Sequence, residues 1–259
     1  MSDQLRVLYW LVARNCVVLK KELSFLLFDS FFSVALHLLL FIYIFPLFGV
    51  PFEFIPSIFL GTGVIWFLFM QGDAYCLNLA SDIEGVRVID YQLTLPICKE
   101  LLLFSYTVTY IIKTAIVTVP SIIIGMYCLS WYASNIVLSW VPFFFYYCIA
   151  MAFCALLFLS LAFRYSFDWL LVNLWPRRIG PMISLGAIAV PWYYMAKKIP
   201  FISYIALCSP ATYIAEGLRV TMLEGSFLSV YTCVCALLAF SVVSYKILLS
   251  GIKNKLDSV

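Results

Sequence analysis

Long apolar runs, cut at intervals by short polar islands, set the pattern of this 259-residue chain. At its start the two classes mix: Leu5, Leu8, Leu11, Val12 and Cys16 recur at helical spacing, with Arg6, Arg14, Lys20, Lys21 and Glu22 between them. That periodicity predicts an amphipathic helix over residues 1–24, lying in the cytoplasmic headgroup layer. Six apolar spans follow: Phe25–Phe48, Ile55–Ala80, Leu101–Leu129, Ile136–Phe163, Ile179–Met195 and Phe227–Leu249. A helix needs ~20 apolar residues to cross a ~30 Å hydrocarbon layer. The third and fourth spans are long enough to require tilt or protrusion. The fifth is short and holds Pro181 and Pro191, which demands neighbours that satisfy the freed backbone groups. Residues 197–225 are apolar only in bursts, interrupted by Ser209-Pro210 and carrying Glu216, Arg219 and Glu224. Neither burst can span, so this stretch predicts an outer cap of two short helices that re-enter or cover the outer face. The expected fold class is all-α: a polytopic membrane protein, with residues 25–259 forming a single six-helix transmembrane domain.

Composition agrees with the pattern. Hydrophobic residues make up 65% of the chain and charged residues 11%, where soluble domains carry roughly 25% charged. The apolar run after Lys20 and Lys21 exceeds 20 residues and lacks a small-residue cleavage site. It therefore reads as a retained first span rather than a signal peptide. The net charge of +3 is too small to argue for a nucleic-acid partner; what matters is where the basic residues sit. With the N-terminus inside, the inner segments hold twelve of them (Arg6, Arg14, Lys20, Lys21, Arg87, Lys99, Arg164, Arg177, Arg178, Lys246, Lys253 and Lys255). The outer segments hold three, Lys197, Lys198 and Arg219. This asymmetry predicts a multi-pass protein of the cell (inner) membrane with both termini cytoplasmic. Nine scattered cysteines without C-x-x-C pairs read as small packing residues.

The compact charged island "SDIEGVRVIDYQLTLPICKE", between the second and third spans, must lie outside the lipid. Glu84 and Arg87 are three apart and share one helix face, with Val88, Tyr91 and Gln92 on another. Pro96 disfavours helix at Leu95 and ends the element, which predicts a short helix at about 83–95. The order of "EGVRVIDYQLTLP", then "NLWPRRIGP" leading into the fifth span, then "SPATYIAEGLRVTML" before the last, resembles the membrane subunit of an ABC-2 type (type V) ABC exporter. The resemblance covers nearly the whole chain in arrangement, and its specific motifs are the E-G-x-R…P island and the S-P-x-T-Y-x-x-E-G-L-R segment.

That resemblance implies that the island is a coupling helix docking on a separate ATP-binding cassette ATPase subunit, with Glu84, Gly85, Arg87, Asp90, Tyr91 and Pro96 matching the motif. It implies ATP and Mg in that partner and no cofactor here. No G-x-x-x-x-G-K-[ST] sequence is present, so this chain holds no P-loop of its own. It further implies a homodimer, or pairing with a related permease, among membrane lipids. The transported substrate would be amphipathic or lipid-linked: a drug, a lipid or a polysaccharide. Beside this stand an ATP-independent channel or secondary transporter, a non-transporting membrane assembly factor, and an island that is only a solvated helix without a partner. The "GTG" at Gly61–Gly63 lies inside a span and reads as a packing feature.

Lys113 lies mid-span, where a charge costs roughly 2.5–3.5 kcal/mol. Tyr106, Thr109, Tyr110 and Lys113 fall three or four apart and make one polar face. His37, the sole histidine, and Lys113 are both ~18 Å from the inner ends of their spans, the depth at which they could meet. They line an export path or a dimer seam on one reading. On the other, Lys113 caps a carbonyl or snorkels and His37 is a satisfied buried ring. Asp73, ~10 Å from the inner end of span 2, is placed to face a wet vestibule. One histidine and dispersed carboxylates make no metal-ligand set. Trp131, Tyr132, Trp140, Tyr146, Tyr147, Trp192, Tyr193 and Tyr194 crowd the outer half, as an interfacial aromatic belt or as a stacking surface for sugar rings. Glu216 and Arg219, three apart, are expected to form an ion pair that orients the outer cap, with direct substrate contact as the alternative.

Overall fold

A computed structural model describes residues 3–86 and 98–256. No glycine or proline occurs between Asp3 and Phe45, and the helix that results, α1, runs unbroken over Asp3–Leu39 and on through a π turn at Leu40–Ile44. At ~1.5 Å per residue α1 is about 55 Å long, far more than a ~30 Å hydrocarbon core needs. The expected interfacial helix is therefore not a separate element: residues 3–24 continue into the first span. With no breaker to turn the chain into the membrane plane, they dock on α3 (Lys99–Ser130). Asn15 Nδ2 donates to Thr109 Oγ1 at 3.1 Å, and Ser30 Oγ donates to the Val117 carbonyl at 2.6 Å.

The first span ends in a Schellman motif. Gly49, at φ 78°, takes the left-handed conformation, while the Val50 amide reaches back to Phe45 and the Gly49 amide to Pro46. The second span begins with short helical turns at Phe52–Phe54 and Ile55–Ile58, passes through a π turn at Phe59–Gly63, and becomes α2 (Val64–Ser81). A further π turn, Asp82–Val86, opens the charged island. Trp140–Arg164 forms α4, and Val230–Leu256 forms the final helix, α10.

Five helices among the described residues are long and apolar enough to cross a membrane. Of the most apolar stretch in each, 67% is buried in the second and 56% in the fourth, against 17% in the first and 22% in the last. Thus α2 and α4 form the centre, α10 packs along α4, and α1 packs along α3 at the periphery. Tyr146 and Tyr147 of α4 are buried in this centre, so they belong to the core rather than to an interfacial belt. Their hydroxyls bond to the Tyr213 carbonyl and to Thr118 Oγ1.

The expected fifth span, Ile179–Met195, is not one continuous helix. The chain is instead helical from 167 to 185, as α5 (Phe167–Leu174), a π turn at Trp175–Ile179 and α6 (Gly180–Leu185). Gly186 then turns extended, residues 186–191 are irregular, and helix resumes only after Pro191 at α7 (Trp192–Lys198). Pro181 follows directly on the π turn, in which the Gly180 amide reaches five residues back to the Trp175 carbonyl. Pro191 disfavours helix at Val190. Two short helices follow as expected, α8 (Pro200–Ala206) and α9 (Pro210–Met222). Yet α9 is no exposed cap. Nearly all of it is buried, against α4, α10 and the Phe59–Gly63 turn. Its end pairs with the loop preceding α4, where the Val137 amide donates to Met222 at 2.8 Å.

Candidate functional site

Two polar stripes meet between α1, α2 and α3. On α3, Tyr106, Thr109 and Lys113 follow at three- and four-residue spacing; on α2 and the π turn that continues it, Tyr75, Asn78 and Asp82 do the same. The stripes face each other across a cavity of about 450 Å³, which α1 closes with Arg14, Asn15 and Leu19. Its walls are mainly apolar, but they carry two cations, one carboxylate and several hydrogen-bonding groups. Tyr75 donates to the Tyr106 carbonyl at 3.0 Å and fixes α2 against α3 at the back of the space. The Asn15–Thr109 bond fixes α1 at the front. A cavity of this size and lining suits an amphipathic molecule with a polar head.

Three of the expected path residues, Tyr106, Thr109 and Lys113, thus share one cavity. The others are elsewhere. Tyr110 turns into the core, donates to the Leu68 carbonyl at 3.1 Å and packs its ring 5.1 Å from that of Tyr75. His37 does not join Lys113 in the cavity: its Nδ1 bonds to the Ser33 carbonyl at 2.7 Å, and its ring lies among Phe41 and Phe67. Asp73 accepts a bond from Trp175 Nε1 at 2.9 Å, joining α2 to the π turn after α5 instead of facing the cavity. Sequence reasoning missed Tyr75, Asn78 and Asp82, although their spacing was a readable signal. Arg14 is expected from the sequence only on the polar side of an interfacial helix, and Asn15 carries no expectation there.

Of the island, Glu84 and Gly85 are described; Arg87, Asp90, Tyr91 and Pro96 lie outside the described residues. The Glu84 carboxylate accepts the Phe167 amide at 3.0 Å, at the first turn of α5, where Ser166 Oγ also accepts the Trp169 amide. A carboxylate is favoured there by the orphan amides and by the helix dipole. This contact joins the start of the island to the segment that follows α4.

A second polar centre is sealed near the start of the second span, beside Ser57. Glu216 and Arg219 of α9 are wholly buried and paired at 2.8 Å. The Arg219 guanidinium also donates to the carbonyls of Ser57 at 3.0 Å, Ala187 at 2.7 Å, and Ile188. Glu216 accepts the amides of Trp192 at 3.0 Å and Leu228 at 3.2 Å. Thr212 Oγ1 accepts the Ala187 amide at 3.1 Å. One face of α9 (Thr212, Glu216 and Arg219) therefore supplies partners to backbone groups of Ala187, Ile188 and Trp192 in and beside the irregular segment 186–191, the kind of support that such backbone needs within a membrane. Gly61 is part of the arrangement: a Cβ there would overlap the Ile188 carbonyl oxygen and Arg219 Nη2. Its role is to admit the break, more than general packing. Among the described residues no cluster of three or more histidine, cysteine or acidic side chains could hold a metal ion. The nine cysteines are free. Comparison of the chain with protein-family models, with curated proteins and with solved structures finds no match.

Proposed function

We propose that this chain is the membrane-spanning permease subunit of an ATP-driven exporter. It moves an amphipathic or lipid-linked substrate outward and is powered by a separate ATP-binding cassette ATPase. The observation that carries the reading is the Glu84–Phe167 bond. A partner pressing on the island at 83–95 moves the inner end of α2 directly and, through Glu84, the N-terminus of α5. The Asp73–Trp175 bond spreads that movement along the same pair of segments. The cavity lined by Tyr106, Thr109 and Lys113 supports the choice of substrate class, since it combines apolar walls with charged groups at one site. In this scheme the permease acts as a pair, of two copies or with a related chain. ATP and Mg are held by the ATPase.

The irregular segment 186–191 would favour a secondary transporter if its half-helix ends were open to substrate. They are instead occupied by Thr212, Glu216 and Arg219 of the same chain, which weighs for a structural role. The deciding experiment is co-purification with the ATPase encoded nearest to this chain, followed by an ATPase assay in lipid. Both are repeated with Glu84→Ala and Arg87→Ala combined. Stable association, with turnover altered by the double change, is the expected result. An ATPase that fails to associate, or a double change without effect on either measurement, overturns the proposal in favour of an ATP-independent carrier or an assembly factor.

A further inference from the structure

A crevice of about 440 Å³ lies between α4, the Trp175–Ile179 turn with α6, and α10. Leu157 and Leu161 of α4, Met182 of α6 and Ile247 of α10 supply apolar wall, and Arg164 and Arg178 supply two cations. Among the described residues no carboxylate lines it and neither arginine makes an ion pair. Arg178 is held in place. Its Nη2 donates to the Tyr165 hydroxyl, and its guanidinium lies 5.1 Å from the Tyr165 ring and 5.8 Å from the Trp169 ring. Those two rings stack on each other at 4.0 Å, forming a rigid shelf beneath the charge. Arg164 is the last residue of α4, where the chain leaves the helix in an extended conformation at Tyr165.

We propose that this crevice binds an anionic phospholipid, with the phosphate held between Arg164 and Arg178 and an acyl chain laid along Leu157, Leu161, Met182 and Ile247. Guanidinium groups match phosphate oxygens in pairs. A fork immobilised on aromatic rings loses little freedom when it binds. The apolar wall distinguishes a lipid from a free anion, because inorganic phosphate gains nothing from Met182 or Ile247. Basic pockets between transmembrane helices are a physically favoured place for acidic headgroups. By the distribution of Lys and Arg along the chain this one faces the cytoplasmic leaflet. The inference does not depend on the exporter reading.

The test uses the full chain purified in detergent and equilibrated with mixed micelles. Radiolabelled dioleoyl phosphatidylglycerol or dioleoyl phosphatidylcholine is supplied at equal mole fraction, and the lipid retained per protein is counted. Phosphatidylglycerol should be retained in preference to phosphatidylcholine, and millimolar inorganic phosphate should not displace it. Arg164→Gln with Arg178→Gln should weaken retention by about tenfold or more, from the loss of two lipid-facing cations. Ile247→Trp, which fills the apolar side and leaves both arginines, should also reduce retention; it decides the matter if the double variant does not fold. Equal retention of the two lipids, wild-type retention by the double Gln variant or by Ile247→Trp, or displacement by phosphate alone would each overturn the proposal.

Discussion

Replacing Arg219 with methionine keeps most of the side-chain volume and removes the guanidinium donors from the buried centre around Glu216. The carbonyls of Ala187 and Ile188 lie in the irregular segment, where Arg219 is their hydrogen-bond partner. Each buried acceptor left without a partner costs about 1–3 kcal/mol. Glu216 keeps the Trp192 and Leu228 amides but loses the cation that offsets its charge. Breaking a buried pair from one side costs about 3–5 kcal/mol, and we take that as the total, since the carbonyl and charge contributions overlap. For a chain of this size the corresponding drop in thermal midpoint is roughly 6–20 °C. The assay is a thermal scan of detergent-purified protein, with the thiol reactivity of buried Cys233 as a local probe. Glu216→Gln should cost less, because a Gln oxygen can still accept from Trp192 and Arg219 while its amide meets the Leu228 amide donor to donor. The exchanged pair Glu216→Arg with Arg219→Glu should not recover stability, because those two backbone amides need an acceptor at 216. A wild-type midpoint for Arg219→Met, or full recovery in the exchanged pair, would refute the argument.

Other expectations follow from the same geometry. Gly61→Ala should destabilise by at least about 1–3 kcal/mol, because its Cβ meets backbone that cannot yield. Gly85→Ala, with open space at its Cβ, should stay within about 0.5 kcal/mol of the parent in the same thermal scan. Lys113→Ala should impair transport in vesicles more than it impairs assembly, and unchanged export would remove Lys113 from the path. Glu84→Ala should cost about 1 kcal/mol, as loss of a helix-capping group does. Amide exchange should report it as faster opening of the first turn of α5, with α10 unaffected.

The all-α class and most spans were legible because hydropathy reports burial in lipid and protein alike. The break in the fifth span was not, because an apolar run looks the same whether it is continuous or folded back. Gly186 and Pro191 bracket the irregular part, but only the donors and acceptors supplied by α9 make that backbone tenable, and these come from a distant segment. The polar face of α9 carried its own signal: Thr212, Glu216 and Arg219 recur at four and three residues in a helix otherwise apolar enough to be buried. The cavity was half legible. The spacing of Tyr106, Thr109 and Lys113 marks the α3 stripe, but Tyr110 shares that spacing and points to the other side. The continuity of α1 could have been anticipated from the missing breakers, and it is what brings Arg14 and Asn15 to the cavity.

The bonds of Arg219 also set an order of events in biosynthesis. Ser57 precedes Arg219 by 162 residues, and domains emerge N-terminal part first. The first two spans must therefore enter the membrane with the Ser57 carbonyl not yet bonded to Arg219 and the space beside Gly61 unfilled. They stay so until α6, the irregular segment and α9 have all been delivered. Closure around the guanidinium is accordingly a late step, and a nascent chain halted before residue 219 lacks the group that joins its early and late halves.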